Sequence, residues 1–512
     1  MDGLPCALGS ARDPSQGEVP MNSMTRSSRP RCRPVALLAL VVFAFAPSTG
    51  CAQSDPTQDP RFEQAVDLFE GWLDAKMDYE KIPGVSVALV HDQDLVWAKG
   101  YGYAHPDTEV LATPTTMYSV CSISKLFTSI GVMQQRDAGK LRLDDPVSGI
   151  LPWYDLEQAH PDGPAVTVGG ILTHSSGLPR ESAHPYWTGP DFPFPTRDEI
   201  IDGLSKQETL YPGRHYFQYS NLGMALAGQI VEQASEMTYD DYIRANILDP
   251  LGMSDTYTDI PEQHKGDRFA TGYNRLKRDG QRDEAPFFQT HGIAPAAGFS
   301  STVEDLARLA SWQFRLLENG GSEILPVNTL REMHRVHWVD PDFDTMWGLG
   351  FSVGERGGDR TVGHGGSCPG FRSTFQLKPA KKLAGVVMMN AQASPDDVWA
   401  RMMSTVGAAL ESIQSDPGGG TERPSSLAEY EGLYESNWGE AMILRWDDSL
   451  VSLGLPSNDP VESMNKLRHV EGDTFRRVRD DGELGEAFIF HRDESGTIES
   501  YSVHGNFSRK VG

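Results

Sequence analysis

The chain has 512 residues, 39% of them hydrophobic, and a formal net charge of −26. Its length exceeds one ordinary domain and leaves room for a large core plus an accessory module, in a composition normal for soluble proteins. So acidic a chain argues against docking on nucleic acid or on anionic lipid through surface charge; the acidity serves solubility.

Residues 1–50 read as an export signal rather than as fold. Arg26, Arg29, Arg31 and Arg33 precede the apolar run VALLALVVFAFA, residues 35–46, which is too short to span a bilayer. The stretch before Met21 lacks signal character, which makes Met21 or Met24 the alternative start. The following STGCAQ resembles a bacterial lipoprotein signal, although Ser48 stands where Leu or a similar residue is usual. That resemblance implies a lipidated Cys51, membrane attachment through it, and a place in the periplasm or cell envelope. Cleavage after Ala46 is the alternative, and Pro47 disfavours it. The five cysteines are Cys6, Cys32, Cys51, Cys121 and Cys368, and no spacing indicates a metal site. Cys121 and Cys368 are expected as free thiols, with Cys121 in a packing role and a disulfide between them the less favoured alternative.

Residues 51–60 read as a tether. From Phe62, the apolar positions Phe62, Ala65, Val66, Phe69, Trp72 and Leu73 recur at helical spacing. A hairpin follows, with strands 85–90 and 95–101 around a turn at Asp92–Asp94. The next helix holds Ser122 and stops near Gly139. Helices are expected over 167–179 and 300–313, the second opened by a capping box of Ser301 and Glu304. Strands return at 347–353, 371–377 and 383–390, and a helix runs on to about residue 413. Strands at both ends with helices between predict an α+β domain over 61–414: a mixed antiparallel sheet flanked by helices, with a helical insertion. SDPGGGTERPSS, residues 415–426, is a linker. Short alternating strands over 427–512 predict a small all-β, barrel-like domain.

Ser122 and Lys125 stand three apart, on one face of a helix. A serine hydroxyl is a weak nucleophile until a base takes its proton. The apolar neighbours Ile123, Leu126, Phe127 and Ile130 would bury the pair, and burial favours the neutral amine. Bringing a lysine from about 10.4 to about 7 requires roughly 4–5 kcal/mol. In the first helical turn the Ser122 N–H lacks a partner within the helix and can donate to an oxyanion. The same spacing recurs at Ser463 and Lys466, where no apolar helix would bury it. Two further motifs follow in order. Tyr219-Ser220-Asn221 is the single Tyr-x-Asn of the chain, and His364-Gly365-Gly366-Ser367 leads into a strand.

In this ordered triple the chain resembles the serine β-lactamase and penicillin-binding-protein superfamily, in its class C-like branch. ILTHSSGLP, AAGFSSTVEDLARL and WGLGF are similar to segments of that family, and the resemblance covers roughly residues 60–415. It implies Ser122 as the acylated nucleophile and Lys125 as its proton acceptor or electrostatic partner. Tyr219 would be general base or acid, and Asn221 a contact to the substrate amide or to Lys125. The strand after His364, Gly365 and Gly366 would line the cleft, with the Ser367 N–H as second oxyanion donor. The last motif departs from the family's Lys-Thr-Gly or Lys-Ser-Gly: Gly365 has no hydroxyl, and His364 is mostly neutral near pH 7. That puts efficient handling of a substrate carboxylate in doubt. The C-terminal segment resembles the lipocalin-like barrel of some members, which implies a cap on the cleft, a ligand site or an assembly element.

The expectation is an exported serine hydrolase acting through an acyl-enzyme on small-molecule or peptide substrates. Esterase, D-aminopeptidase, carboxypeptidase-like and weak β-lactamase action are the activities it allows. No metal and no cofactor are required, and the oligomeric state is left open. The alternative is a sensor or scaffold that binds peptide or cell-wall fragments with little turnover. His174 reads as a helix-end residue rather than a catalytic one, while Trp153, Tyr154, Tyr186 and Trp187 either line a cleft or fill the insertion.

Overall fold

The computed structural model describes residues 55–511; Cys51 and the export segment lie outside the described residues. The first long helix, α1 (Pro60–Glu80), opens with Asp59 as N-cap and Pro60 at the first helical position, where a missing N–H costs nothing. Its predicted apolar stripe is buried, with Phe62, Ala65, Phe69, Trp72 and Leu73 in the core.

The hairpin β1 (Gly84–His91) and β2 (Asp94–His105) follows. Helix α2 (Ser124–Asp137) begins just after Ser122, which sits in a single 3-10 turn, Cys121–Ile123. The insertion includes α3 (Asn221–Ser235) and α4 (Val303–Asn319). Four strands complete the centre of the sheet: β3 (Ser352–Arg356), β4 (Asp359–Cys368), β5 (Phe371–Lys378) and β6 (Leu383–Met389). The helical segment Pro395–Met402 opens the last helical stretch, which ends at Ser415.

The main sheet has nine strands, all antiparallel, and β1 pairs with β6 in the register Val85↔Met389. The two ends of the hydrolase segment therefore meet at the middle of one sheet. Alternation along β1 divides its faces. Val85, Val87 and Leu89 pack toward α1 and the last helices, while Ala88 and Val90 join the core with α2, α3 and α4.

Three local expectations differ from the structure. The helix expected over 167–179 is only Val168–Leu172; His174 then takes a left-handed φ of 53°, which ends it. The strand expected over 347–353 is broken at Gly350, whose φ is 84° and whose N–H donates to the Leu172 carbonyl. A Cβ there would fall 2.0 Å from Ser129 Oγ. The cap of α4 is Thr302, whose side chain accepts from the Asp305 N–H, because Ser301 is drawn into a two-residue strand opposite Tyr118.

The C-terminal segment forms a closed antiparallel barrel of eight strands, β7 (Gly432–Ser436), β8 (Gly439–Trp446), β9 (Ser449–Leu455), β10 (Met464–Glu471), β11 (Thr474–Val478), β12 (Leu484–Arg492), β13 (Ile498–Val503) and β14 (Asn506–Val511). Its core is built from Tyr434, Ile443, Phe475, Phe488, Phe490 and Tyr501, and a cavity of about 320 Å³ lies between Trp446, Leu450, Leu467 and His469. The barrel's outer face lies on α1: Met442, Leu444, Leu453 and Leu455 join the cluster of Phe69, Trp72 and Leu73. Trp72 Nε1 donates to the Ser457 carbonyl at 2.7 Å, and Arg423 bridges Glu63 and Asp67. The barrel thus sits by α1, which covers the sheet face away from α2, and among the described residues none of those lining the cleft at Ser122 comes from it.

Candidate active site

Ser122 is half-buried at the mouth of a cleft, and Lys125, one turn along, is fully buried. Lys125 Nζ lies 3.1 Å from Ser122 Oγ, 2.8 Å from Asn221 Oδ1 and 2.6 Å from the Ala296 carbonyl. Burial holds the amine well below the ordinary lysine value; the Glu181 carboxylate opposes this and the Arg180 guanidinium assists it. A neutral amine has two N–H bonds and one lone pair. Asn221 Oδ1 and the Ala296 carbonyl can only accept, so they take both N–H bonds. The lone pair is left facing the Ser122 hydroxyl.

Asn221 opens α3, with Ser220 as N-cap. Its Nδ2 donates to both oxygens of Glu181, at 2.9 and 3.0 Å. That bond fixes which end of the amide meets Lys125. Glu181 also accepts from the Tyr186 hydroxyl and pairs with Arg180 at 3.2 Å.

Tyr219 stands just before this cap. Lys125 Nζ lies 4.8 Å and Arg180 Cζ 5.0 Å from the centre of its ring. Burial pushes the phenol well up, while its contact with the Ser122 hydroxyl and the Arg180 charge pull the other way. The His174 ring packs 4.3 Å from that of Tyr219, and its Nδ1 accepts from the Ser220 N–H at 3.2 Å. His174 thus ends a helix and braces the tyrosine, and burial keeps it neutral.

The strand motif divides. Ser367 is exposed and lines the cleft with Ser122. His364 is buried against Trp347 and Tyr219, and burial, with Lys125 nearby, pushes it down to about 3. It is a neighbour of the tyrosine rather than part of the cleft wall. Gly366 is where β4 passes the turn before the nucleophile; a Cβ there would lie 2.2 Å from the Val120 carbonyl. Strand β3 pairs with β4 only as far as Gly363, whose carbonyl accepts from Ser352 Oγ. Alternation turns the Ser367 N–H to that same edge, where no pairing strand follows.

The cleft holds about 370 Å³ and is walled by Arg180, Glu181, Trp187, Phe192, Asn274 and Gln392. Of the four insertion aromatics, Trp187 lines it, Tyr186 is buried beside it, and Trp153 and Tyr154 pack on the core. Arg180 and Glu181 are absent from the expected site. The available signal was that they are the only charged residues between Asp162 and Asp191. Cys121 and Cys368, expected as free thiols, are joined in a disulfide with a Cα separation of 5.7 Å. Their spacing suits a bond that sequence alone cannot measure. Ser463 and Lys466, by contrast, fall on a short helix and a barrel strand.

The Beta-lactamase family model matches residues 69–403. The chain belongs to this family. It is 29% identical over 308 residues to beta-lactamase-like protein 2 of Dictyostelium discoideum, covering 59% of this chain and 54% of that protein. It is 26% identical over 384 residues to penicillin-binding protein 4 of Amycolatopsis lactamdurans, covering 72% of this chain and 97% of the relative. The octameric penicillin-binding-protein homologue of Pyrococcus abyssi superposes with a TM-score of 0.59 at 26% identity, over 87% of this chain and all of that one. The family chain therefore spans about half of one relative and nearly all of the other two.

Proposed function

We propose that the protein is an exported, lipid-anchored serine hydrolase that turns over esters, amides or short peptides through an acyl-enzyme on Ser122. The observation that carries this is the placement of Lys125 Nζ, 3.1 Å from Ser122 Oγ, with Asn221 Oδ1 and the Ala296 carbonyl accepting from it; in the neutral form that burial favours, the amine turns its lone pair to the Ser122 hydroxyl. Environments push the two titratable groups apart, and that assigns their roles. Lys125, lowered, takes the Ser122 proton as the oxygen attacks the substrate carbonyl. Main-chain N–H groups of Ser122 and Ser367 receive the developing oxyanion. Tyr219, raised, keeps its proton until the tetrahedral species collapses and then gives it to the leaving group. Passage of the lysine proton to the phenolate returns both groups to neutrality. Water then attacks the acyl-enzyme with the same partners, and Ser122 leaves.

Substrate preference follows from the residues of the third motif. Burial keeps His364 uncharged and Gly365 offers no hydroxyl, so the carboxylate-binding pair of the antibiotic-directed members is missing. This supports esterase, amidase or D-aminopeptidase action over efficient β-lactam hydrolysis. The Cys121–Cys368 bond supports passage to an oxidising compartment, as does the basic and apolar leader before Cys51.

The test pairs wild type with Ser122→Ala, using a fluorophosphonate probe, p-nitrophenyl esters, D- and L-aminoacyl amides and a fluorescent penicillin. Labelling and turnover in wild type, both lost in the variant, are expected. Stable labelling without turnover would favour a binding sensor, and no labelling of Ser122 would sink the acyl-enzyme reading. Fractionation of cells expressing Cys51→Ala checks the anchor: the variant is expected to leave the membrane fraction.

A further inference from the structure

We propose that the Cys121–Cys368 disulfide is a positioning element of the oxyanion hole, setting the distance between its two donors. This rests on the reading of Ser122 as nucleophile with the Ser122 and Ser367 N–H groups as donors. Cys121 immediately precedes Ser122, and Cys368 immediately follows Ser367. The bond therefore joins the neighbours of both donors, with a Cα separation of 5.7 Å.

The two donors ride on different elements. One sits in the turn Cys121–Ile123, the other on the edge of β4 beyond the point where β3 stops pairing. A backbone ladder fixes β4 to β5 on its far side, which leaves the near side to be held by other means. Ser373 Oγ contributes by donating to the Val120 carbonyl at 3.0 Å. The disulfide is the covalent tie across the same gap. Cys121 also has a φ of 52°, a left-handed conformation that a residue with a Cβ adopts only when its surroundings impose it. Cys121 is fully buried and Cys368 4% exposed, so the bridge is packed except where Cys368 reaches the cleft wall.

Oxyanion donors act only if they meet the oxygen at about 2.7–3.1 Å, and a misplacement near 1 Å can lose about a hundredfold in rate. A bond closing 247 residues of chain also stabilises the fold against unfolding. Loss of a merely structural bridge would therefore lower the melting temperature and leave the chemistry of the folded protein alone. The two roles differ in what they move.

The experiment compares wild type, Cys121→Ala, Cys368→Ala and the double variant, each assayed well below its own melting temperature. The measurements are ester turnover and inhibition by a boronic acid, which forms a tetrahedral adduct with the serine. The expected result is a fall in kcat of about tenfold to a hundredfold, with KM within twofold and boronate affinity falling in parallel. Each single variant should lose as much as the double, because the bond is the unit removed. Should Cys121→Ala not fold, reduction of folded wild type by a water-soluble phosphine gives the same comparison. The phosphine is oxidised to its oxide with oxygen from water, and two thiols form. Unchanged kcat and boronate affinity in folded, bond-free protein would overturn the proposal. If instead Ser122→Ala retains turnover, it is the underlying assignment of the nucleophile that fails.

Discussion

Glu181 offers the sharpest test of the charge arrangement. Replacing it by Gln removes a negative charge that raises the Lys125 pKa, while keeping the size and one accepting oxygen. From the carboxylate to Nζ the path runs through one hydrogen bond of 2.9 Å, the Asn221 amide, and another of 2.8 Å. At about 7 Å and an effective dielectric near 20, one charge is worth about 2 kcal/mol, or roughly one and a half pKa units. The Glu181 side chain is 25% exposed, and solvent trims this to about one unit. The sign is fixed. Attack needs neutral Lys125, so activity falls as pH drops through its pKa, and removing Glu181's charge moves that acid limb to lower pH. Arg180 acts oppositely, so Arg180→Gln should raise it. The assay is kcat/KM for a neutral p-nitrophenyl ester across the pH range, which reports the free enzyme's groups. An acid limb that stays put or moves up in Glu181→Gln would refute the argument. Loss of an accepting oxygen should also lower the plateau several-fold, since Asn221 can no longer donate twice to acceptors.

Tyr219→Phe keeps the ring that His174 and Trp347 pack against and removes the proton donor. Its kcat should fall by about a hundredfold or more, with the largest loss on substrates that have poor leaving groups. Leu453 is fully buried between barrel and α1, so Leu453→Ala should cost about 2–4 kcal/mol. Thermal unfolding checks this, with Ser122 labelling at room temperature retained. His334 and His364 are both buried and pushed down to about 3, against about 6.5 in an unfolded chain. The unfolded chain binds protons first as pH falls, so their stability contribution is complete above 6.5 and is lost toward 3. By pH 5 the loss should be about 2 kcal/mol per histidine. Denaturant titrations should show His334→Gln with a flatter stability profile between pH 6.5 and 5.

Much of the fold is legible in the sequence because its signals are local or periodic. The apolar stripe from Phe62, the hairpin around Asp92–Asp94 and the alternation beyond residue 427 state their own structure. Ser122, Lys125 and Asn221 could be grouped because each lies in a short motif whose order is informative. Glu181 carries no such mark: its partner Asn221 is 40 residues away, and only folding reveals that a carboxylate orients the amide. The disulfide escaped for the same reason, since nothing between Cys121 and Cys368 encodes their approach. The break at Gly350 needed knowledge of the Leu172 carbonyl it binds, and the cap at Thr302 needed the pairing of Ser301 with Tyr118. The barrel's seat on α1 was likewise hidden, because Met442 and Leu453 look like ordinary strand residues until a helix covers them.

The pairing of β1 with β6 has a consequence for how the protein comes into being. Until residue 389 has left the ribosome, the strand that begins near residue 84 lacks its inner neighbour, and the edge carrying Ser367 is unmade. No nascent fragment that ends before this point can therefore hold the completed sheet. The sheet stays open through most of the polypeptide's synthesis and is completed in one late, long-range closure.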